Sequence, residues 1–353
     1  MIRVGPSRLP SRESPEEAIR LVVDDGFTAC EVDFETGFWM EREFAERLGE
    51  AARASDIALS VHAPLAAFPG NTDRGPKHRR AVGMLDHSAG IAVACGAELV
   101  VIHPGFLLGR TREEALDGVC SDLAELRERL EAKGRAVPFG VEIMGRVREL
   151  GTAADVLQIS ERLPWARPVI DFAHLHAVTD GAFVSSKEFA EVLRGADAVL
   201  PTGAPVHVHF SDIAYANRNE TKHLPYGEGT LRAEPLGEAL REFSRPATVI
   251  SESPDAVSDQ AILQSWPPRR SPRLLYNRPM ASGRGNQSPD TAARRRKAEA
   301  GFLRFAALAG VVGLGAAIGA ILGTADVDAW VIGLVVAIVS LVAAAVIRAS
   351  IRA

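Results

Sequence analysis

Histidine and acidic side chains lie at the ends of successive apolar runs in the first 266 residues of this 353-residue chain. They fall in the segments VHAP (61–64), VIHPGF (101–106), VEIMG (141–145), VIDFAHLHA (169–177), HFSD (209–212) and ISESP (250–254). Titratable groups are costly to bury unless something pairs with them. Because these run ends supply almost no Lys or Arg, and crowded carboxylates repel one another, we expect a divalent metal to neutralise them. Imidazole and carboxylate ligands without thiolate are typical of zinc or manganese.

The candidate ligands are the His, Asp and Glu residues near the ends of predicted strands, together with one loop histidine. They are His62, His103, Glu142, Asp171, His174, His209 and Glu252, with His223 in KHLPYGEG (222–229) on the loop after the seventh strand. His207 shares the side-chain parity of His209 but lies about 7 Å deeper along the strand. We therefore expect His207 in the core or behind the ligands. His176 either orients His174 or touches the substrate.

The elements that position these groups are eight apolar runs of strand length, at 2–5, 29–34, 58–63, 98–104, 139–143, 167–173, 205–210 and 247–252. The segments between them carry apolar residues at three- and four-residue spacing, which predicts helices, and an eighth helix is predicted at 253–266. This pattern favours a (β/α)8 TIM barrel, with a doubly wound open sheet as the alternative. In a barrel the carboxyl ends of the strands converge on one face, which holds the active site. His78 and His87, on the helix after the third strand, are predicted to be surface residues.

Cysteine and charge content exclude some classes of site and partner. Cys30, Cys95 and Cys120 are far apart without C-x-x-C spacing, which argues against a disulfide framework or a thiolate zinc site. The chain has a net charge of −5, but from Pro267 onward it carries 12 Lys/Arg and 4 Asp/Glu, which leaves −13 for the preceding residues. Such an acidic body is a poor generic binder of nucleic acid.

The segment from residue 267 onward has a different character. Residues 267–300 are rich in Pro, Ser, Gly and Arg, which predicts a disordered basic linker. Residues 301–353 contain the uncharged runs 305–325 and 329–347, each long enough to span a bilayer, and they predict a two-helix transmembrane hairpin. Arginines flank both outer ends, so the positive-inside rule places both ends in the cytoplasm. We therefore expect a barrel of residues 1–266 in the cytoplasm, tethered to the cytoplasmic membrane.

The segments quoted above, with HLPYGEG (223–229), resemble the successive metal motifs of the endonuclease IV (deoxyribonuclease IV) family. These are the family 2 apurinic/apyrimidinic (AP) endonucleases, within the xylose isomerase-like TIM barrels. The resemblance implies one zinc on His62, His103 and Glu142, and a second on Glu142, Asp171, His209 and Glu252. It implies a third on His174 and His223, where the family's Asp is replaced by Thr221. Glu220 could reach instead, or the third site is weak or empty.

The resemblance implies hydrolysis of the phosphodiester 5′ to an abasic site in DNA, with Glu142, Asp171 and Glu252 as the catalytic carboxylates. Two or three Zn²⁺ ions, or Mn²⁺, would activate water and stabilise the leaving oxygen. Phosphate contacts are expected from basic residues on the loops at the same face: Arg8, Lys77, Arg79, Arg80 and Arg110, with Arg146 and Arg148 as further candidates.

Two other functions remain open on the sequence. Glu142, Asp171, His209 and Glu252 are also the single-metal set of the sugar isomerases and epimerases of the same superfamily. One metal has no use for His62, His103 and His223 together, which favours the nuclease. The third possibility is a membrane-tethered binding protein that has lost activity.

Overall fold

The structure, a computed structural model, describes residues 1–71, 73–257 and 259–260. Its strands are β1 (Ile2–Pro6), β2 (Ala29–Asp33), β3 (Ala58–His62), β4 (Val100–Ile102), β5 (Phe139–Glu142), β6 (Ala166–Asp171), β7 (Val206–Phe210), β8 (Asp212–Ala216), β9 (Asn219–Leu224) and β10 (Ala247–Ser251). Its helices are α1 (Pro15–Asp24), α2 (Arg42–Ala54), α3 (Pro76–Cys95), α4 (Arg112–Ala132), α5 (Ala153–Arg162), α6 (Phe172–Val178), α7 (Ser186–Val199) and α8 (Ala233–Glu242).

Eight of the strands form one parallel sheet in the order β1-β10-β7-β6-β5-β4-β3-β2. The two ends of this order adjoin, because the backbone N–H of Thr28 donates to the carbonyl of Val4 at 2.8 Å. A Cβ on Gly5 would lie 1.8 Å from the carbonyl oxygen of Ala29, so only glycine allows β1 to lie this close to β2. The predicted α/β TIM barrel is confirmed.

Helix α3 begins at Pro76, and its first turn packs towards α4. His78 in that turn is buried, with Nδ1 3.3 Å from Oδ2 of Asp122. The surface prediction for His78 was therefore wrong, because the neighbouring helix covers this side of the turn. His87, two turns later, is exposed, and its ring lies against Phe38 at 4.3 Å between centroids.

The sixth strand is shorter than predicted. It ends at Asp171, whose Oδ1 accepts the backbone N–H of His174 at 2.8 Å and so caps the short helix α6. The prediction that the strand runs to residue 173 was wrong. His174 consequently lies on a helix that begins at the mouth of the barrel.

A two-stranded antiparallel sheet, β8 and β9, stands where a loop was predicted after the seventh strand. Its base is fixed by Asp212, which is fully buried. The Asp212 carboxylate accepts backbone N–H groups from Ile213, Gly227, Gly229 and Leu231 at 2.7 to 3.1 Å. One carboxylate thus holds the hairpin and the following PYGEG segment together.

The predicted linker at 267–300 and hairpin at 301–353 lie outside the described residues, as does half of the predicted helix at 253–266. In the part of the chain that the structure describes, no helix combines the length and the apolar character needed to cross a membrane. The transmembrane hairpin stays a prediction.

Candidate metal centre

Glu142, the last residue of β5, lies at the centre of the carboxyl-terminal face, and its two oxygens face different groups. Oε2 lies 3.3 Å from Nε2 of His62 and 3.2 Å from Nε2 of His103. Oε1 lies 3.3 Å from Nδ1 of His209. The Glu142 side chain is 1% exposed. Its carboxylate therefore faces two separate sets of nitrogen ligands, as a carboxylate shared by two ions would.

The first set consists of His62 at the end of β3, His103 directly after β4, and Glu142. Nδ1 of His62 lies 2.8 Å from the carbonyl of Ala63 and donates to it, which turns Nε2 towards Glu142. A tetrahedral zinc site with bonds of about 2.0 Å has ligand atoms about 3.3 Å apart. The separations of His62 and His103 from Glu142 match that spacing.

The second set surrounds the other oxygen of Glu142. Nδ1 of His209 lies 3.3 Å from Oε1 of Glu252, and the register of β6 and β7 places Asp171 opposite His209. Asp171 Oδ2 and Glu252 Oε2 are buried, yet neither receives a hydrogen bond from the described residues. Buried acceptors without donors are rare in proteins, and a cation would satisfy both.

The third set comes from outside the barrel strands. His174 on α6 has Nδ1 2.8 Å from the carbonyl of Ile143, which leaves Nε2 facing Glu220 Oε2 at 2.6 Å. His223 on β9 has Nδ1 2.6 Å from Oγ of Ser211. His174, His223 and Glu252 offer ligand atoms within 4.8 Å of one another. A third ion could be held here, with Glu220 as a further ligand.

A β-bulge decides which residue of β9 faces this third set. Tyr215 pairs with Glu220 and Ala214 with Lys222, so Thr221 is the extra residue between them. Oγ1 of Thr221 donates to the carbonyl of Ala214 at 2.9 Å, which fixes its side chain against the opposite strand. A bulge shifts the side-chain alternation of a strand by one residue. Glu220 therefore points to the centre, and the replacement at Thr221 is offset by its neighbour.

Among the protein groups of the centre, imidazolium groups pair with carboxylates. Burial opposes ionisation of Glu142 and Glu252, but the neighbouring imidazoles together outweigh it, with His103 beside Glu142, His223 beside Glu252 and His209 beside both, so the pKa of each carboxyl lies well below its usual range. Burial opposes a charge on the histidines as well, yet the carboxylates raise the pKa of His62 to about 10 and that of His209 well above its usual value. Asp171 differs, since burial outweighs the attraction of nearby imidazoles and raises its pKa. Protons here occupy positions that metal ions would take.

The centre opens into a cavity of about 450 Å³. Its lining residues include His62, His103, His174 and His223, together with the segment 6–10. The donor set, imidazole and carboxylate with no thiolate, fits zinc or manganese. A cavity of this size also fits a small sugar or one extruded nucleotide.

The two histidines predicted to lie behind the ligands have partners of their own. Nε2 of His176 lies 2.9 Å from Oγ1 of Thr230, in the segment that follows β9. Nε2 of His207 lies 3.3 Å from Oε2 of Glu31, in the barrel interior. His176 is therefore directed towards the hairpin segment, and His207 lies one layer below His209.

The basic residues predicted to contact phosphate differ in their positions and in their contacts. Arg8 lines the cavity and pairs with Asp33 at 3.4 Å and Glu35 at 3.8 Å. Exposed side chains in the first turns of α3 include Lys77, Arg79 and Arg80.

Arg110 differs from this group, because its guanidinium donates to the carbonyl oxygens of Gly70 and Leu107 at 2.7 and 3.1 Å. It joins two loops and has fewer N–H groups left for a ligand. Arg146 lies 3.4 Å from Oε1 of Glu220, at the third set of ligands.

The sequence interpretation missed one acidic group beside the centre and gave another only as an alternative. Glu31 lies inside the barrel at β2, and Glu220 was named only as a substitute for a missing aspartate. The inward parity of Glu31 within ACEVDF (29–34) was a usable signal, because a carboxylate inside an otherwise apolar strand needs a partner. Nothing in NETKHL (219–224) signals the bulge that turns Glu220 inward.

Comparisons with known proteins agree with this architecture. The family model described as xylose isomerase-like TIM barrel matches residues 19–269. An uncharacterized protein of Methanocaldococcus jannaschii is 29% identical over 266 residues, which are 74% of this chain and 96% of that protein. A D-tagatose 3-epimerase-like protein is similar in structure, with a TM-score of 0.59, 23% identity, and coverage of 75% of this chain and 96% of that one.

Endonuclease IV from Thermus thermophilus gives a TM-score of 0.57 at 17% identity, over 75% of this chain and 98% of that chain. At these identities the likenesses establish the fold, and the fold is shared by an epimerase-like protein and by an endonuclease. The family match covers most of the described barrel and reaches every strand that carries a candidate ligand. The chain belongs to the xylose isomerase-like TIM barrel family.

Proposed function

We propose that this chain is a metal-dependent phosphodiesterase that cleaves DNA on the 5′ side of an abasic site. The observation that supports the proposal is the position of Glu142 between two sets of ligands, with His62 and His103 at one oxygen and His209 at the other. A sugar isomerase that uses one ion has no role for His62 and His103. Two ions held close together can stabilise both the attacking and the leaving oxygen when a phosphodiester is hydrolysed.

The protein residues would have different roles, according to where they lie in the cavity. Glu142, Asp171 and Glu252 hold positive charge at the base of the cavity, and ions held there would activate a water and stabilise charge on the phosphodiester oxygens. Arg8 is the basic residue at the cavity wall, with Lys77, Arg79 and Arg80 further out on α3. We propose that these four contact the phosphates on either side of the scissile bond.

A second candidate, a sugar epimerase, is favoured by the cavity and by charge. Ligand atoms of Glu142, Asp171, His174 and Glu252 lie within 4.8 Å of one another, which is sufficient for a single ion. The net charge of −13 before residue 267 disfavours a polyanion more than a neutral sugar.

The test is cleavage of a duplex with one abasic site, with zinc or manganese added. Wild-type protein should nick the strand 5′ to the site, and Glu142→Gln should abolish cleavage. His87→Asn, on the exposed face of α3, is the control and should cleave like wild type. No cleavage by any of the three would overturn the nuclease.

The double variant His62→Asn, His103→Asn separates the two candidates. It removes the first set of ligands and leaves the second, so a nuclease should lose activity with loss of one ion per chain. An epimerase that uses only the second set should keep its activity on a panel of ketoses. Elemental analysis of the purified protein provides the ion count for both.

We also propose that residues 305–347 tether the barrel to the cytoplasmic membrane, on the evidence of the two uncharged runs. Membrane fractionation tests this, with a chain ending at residue 266 as the control. Equal recovery of both chains in the soluble fraction would overturn the tether.

A further inference from the structure

Glu31 lies inside the barrel, one layer below the candidate ligands, with its side chain 1% exposed. The register of β2 and β3 places it opposite Ser60, whose hydroxyl donates to Oε2 at 2.7 Å. Nε2 of His207 lies 3.3 Å from the same oxygen. The other oxygen, Oε1, lies 3.2 Å from Nε2 of His209. The two oxygens of Glu31 therefore have different partners.

Oε1 of Glu31 and Nε2 of His209 face each other. Both atoms are buried, and among the residues that the structure describes neither forms a hydrogen bond, so their 3.2 Å separation is an electrostatic contact. Ser60 and His207 would be sufficient if the only task were to satisfy one buried oxygen. The second oxygen, which faces the underside of a candidate ligand, points to a role at the metal centre.

The two nitrogens of His209 have opposite surroundings. Nδ1 faces the carboxylates of Glu142 and Glu252, where an ion would lie, and Nε2 faces Glu31. A neutral imidazole carries one proton, and only the nitrogen without it can bind a metal. A carboxylate beside Nε2 keeps the proton there and leaves the lone pair on Nδ1.

We propose that Glu31 is a positioning residue that fixes His209 in the tautomer that binds the second ion through Nδ1. The inference rests on the metal centre of the proposed function and applies equally to hydrolysis and to epimerisation. His207 contributes by holding the opposite oxygen, with its Nε2 3.3 Å from Oε2, which stops the carboxylate from rotating away from His209.

The variant that tests this is Glu31→Gln, which keeps the shape of the side chain and replaces one acceptor by a donor. Ser60 donates towards the position of Oε2, so the amide oxygen should stay there and the amide NH2 should face Nε2 of His209. The proton of His209 should then move to Nδ1. We expect affinity for one of the ions to fall about 10- to 100-fold, while the ion at His62 and His103 is retained.

Ser60→Ala is the matched control, because it removes a partner from Oε2 and leaves the contact of Oε1 with His209. It should bind as much zinc as wild type in equilibrium dialysis. Circular dichroism at each step shows whether the variants are folded. If Glu31→Gln does not fold, the histidine side-chain ¹H–¹⁵N spectrum of the zinc-loaded wild type gives the answer, because the inference requires the His209 proton on Nε2.

The outcomes separate the inference from the metal centre. Unchanged zinc affinity in Glu31→Gln, or a His209 proton on Nδ1 in zinc-loaded wild type, overturns the inference and leaves the centre intact. Wild-type protein that binds no divalent ion overturns both. Selective loss of one ion in Glu31→Gln, with both ions kept in Ser60→Ala, supports the inference.

Discussion

Oε2 of Glu220 lies 2.6 Å from Nε2 of His174, although the two residues come from a β-hairpin and a short helix that the sequence did not reveal. The contact brings a carboxylate into the position that the resemblance reserved for an aspartate at Thr221. It exists because Thr221 is the extra residue of a β-bulge. The third set of ligands therefore has its carboxylate, which comes from Glu220 instead of an aspartate at residue 221.

Replacement of Glu220 should weaken metal binding at the third set of ligands alone. We expect Glu220→Ala to lose one ion per chain, or to bind it at least about tenfold more weakly, because His174 and His223 are left without this carboxylate. Thr221→Ala should bind metal like wild type. Thr221→Asp added to Glu220→Ala should not restore the ion, since residue 221 faces Ala214. Metal counts by mass spectrometry check all three, and recovery in the double variant would contradict the bulge.

A methyl group at Gly145 should also weaken metal binding at the third set of ligands, because it would collide with two of their side chains. A Cβ there would lie 2.5 Å from Oε2 of Glu220 and 2.7 Å from Cδ2 of His174. The Glu220 side chain can move away, so Gly145→Ala should weaken the third ion and leave the fold intact. Gly83→Ala, where a Cβ meets nothing within 4 Å, is the control and should stabilise α3 by about 0.5–1 kcal/mol. Metal titration of both variants measures the affinity for the third ion, and thermal unfolding measures their stability.

The pH dependence of metal binding follows from His62. Its pKa in the metal-free protein is about 10, against 6.5 for an unperturbed histidine, so an ion must displace a proton at neutral pH. Apparent zinc affinity should rise with pH across this window. Because the folded-state pKa is raised, the stability that the His62 pair with Glu142 gives the metal-free protein is complete below pH 6.5 and is lost as the pH rises through about 10.

The melting temperatures with zinc and with a chelator should therefore move apart between pH 6.5 and pH 9. Differential scanning calorimetry measures both curves. A gap that stays constant, or narrows with rising pH, would contradict proton displacement. Proton release on zinc addition, measured in weakly buffered solution, is an independent check.

Loss of one oxygen of Asp212 should destabilise the hairpin. In Asp212→Asn the amide nitrogen cannot accept, so either the pair of N–H groups from Gly227 and Gly229 or that from Ile213 and Leu231 loses its acceptor. Hydrogen bonds to a buried charge contribute about 1.5–3 kcal/mol each, so we expect a loss of about 3 kcal/mol. Glu228→Gln, on an exposed residue of the same segment, should change stability by less than about 0.5 kcal/mol. Urea unfolding of both variants is the measurement.

Some of this centre could be predicted from the sequence because strand periodicity carries the information. His62, Glu142 and His209 lie at or near the ends of apolar runs, and closure of a parallel barrel brings such ends together. His78 could not be placed by the same reasoning, since its burial depends on how α3 packs against α4. His174 was placed at the end of a strand predicted to run to residue 173, because the cap formed by Asp171 is a side-chain contact and leaves little trace in hydrophobicity.

The hairpin has a consequence for how this scaffold changes its chemistry. Residues 212–224 share no sheet with the barrel, and they supply two of the side chains around the third set of ligands. A graft of this one surface segment from another member of the fold would alter the nuclearity of the centre while every barrel strand keeps its sequence. A dinuclear and a trinuclear centre on this scaffold can therefore differ by a single contiguous exchange rather than by scattered substitutions.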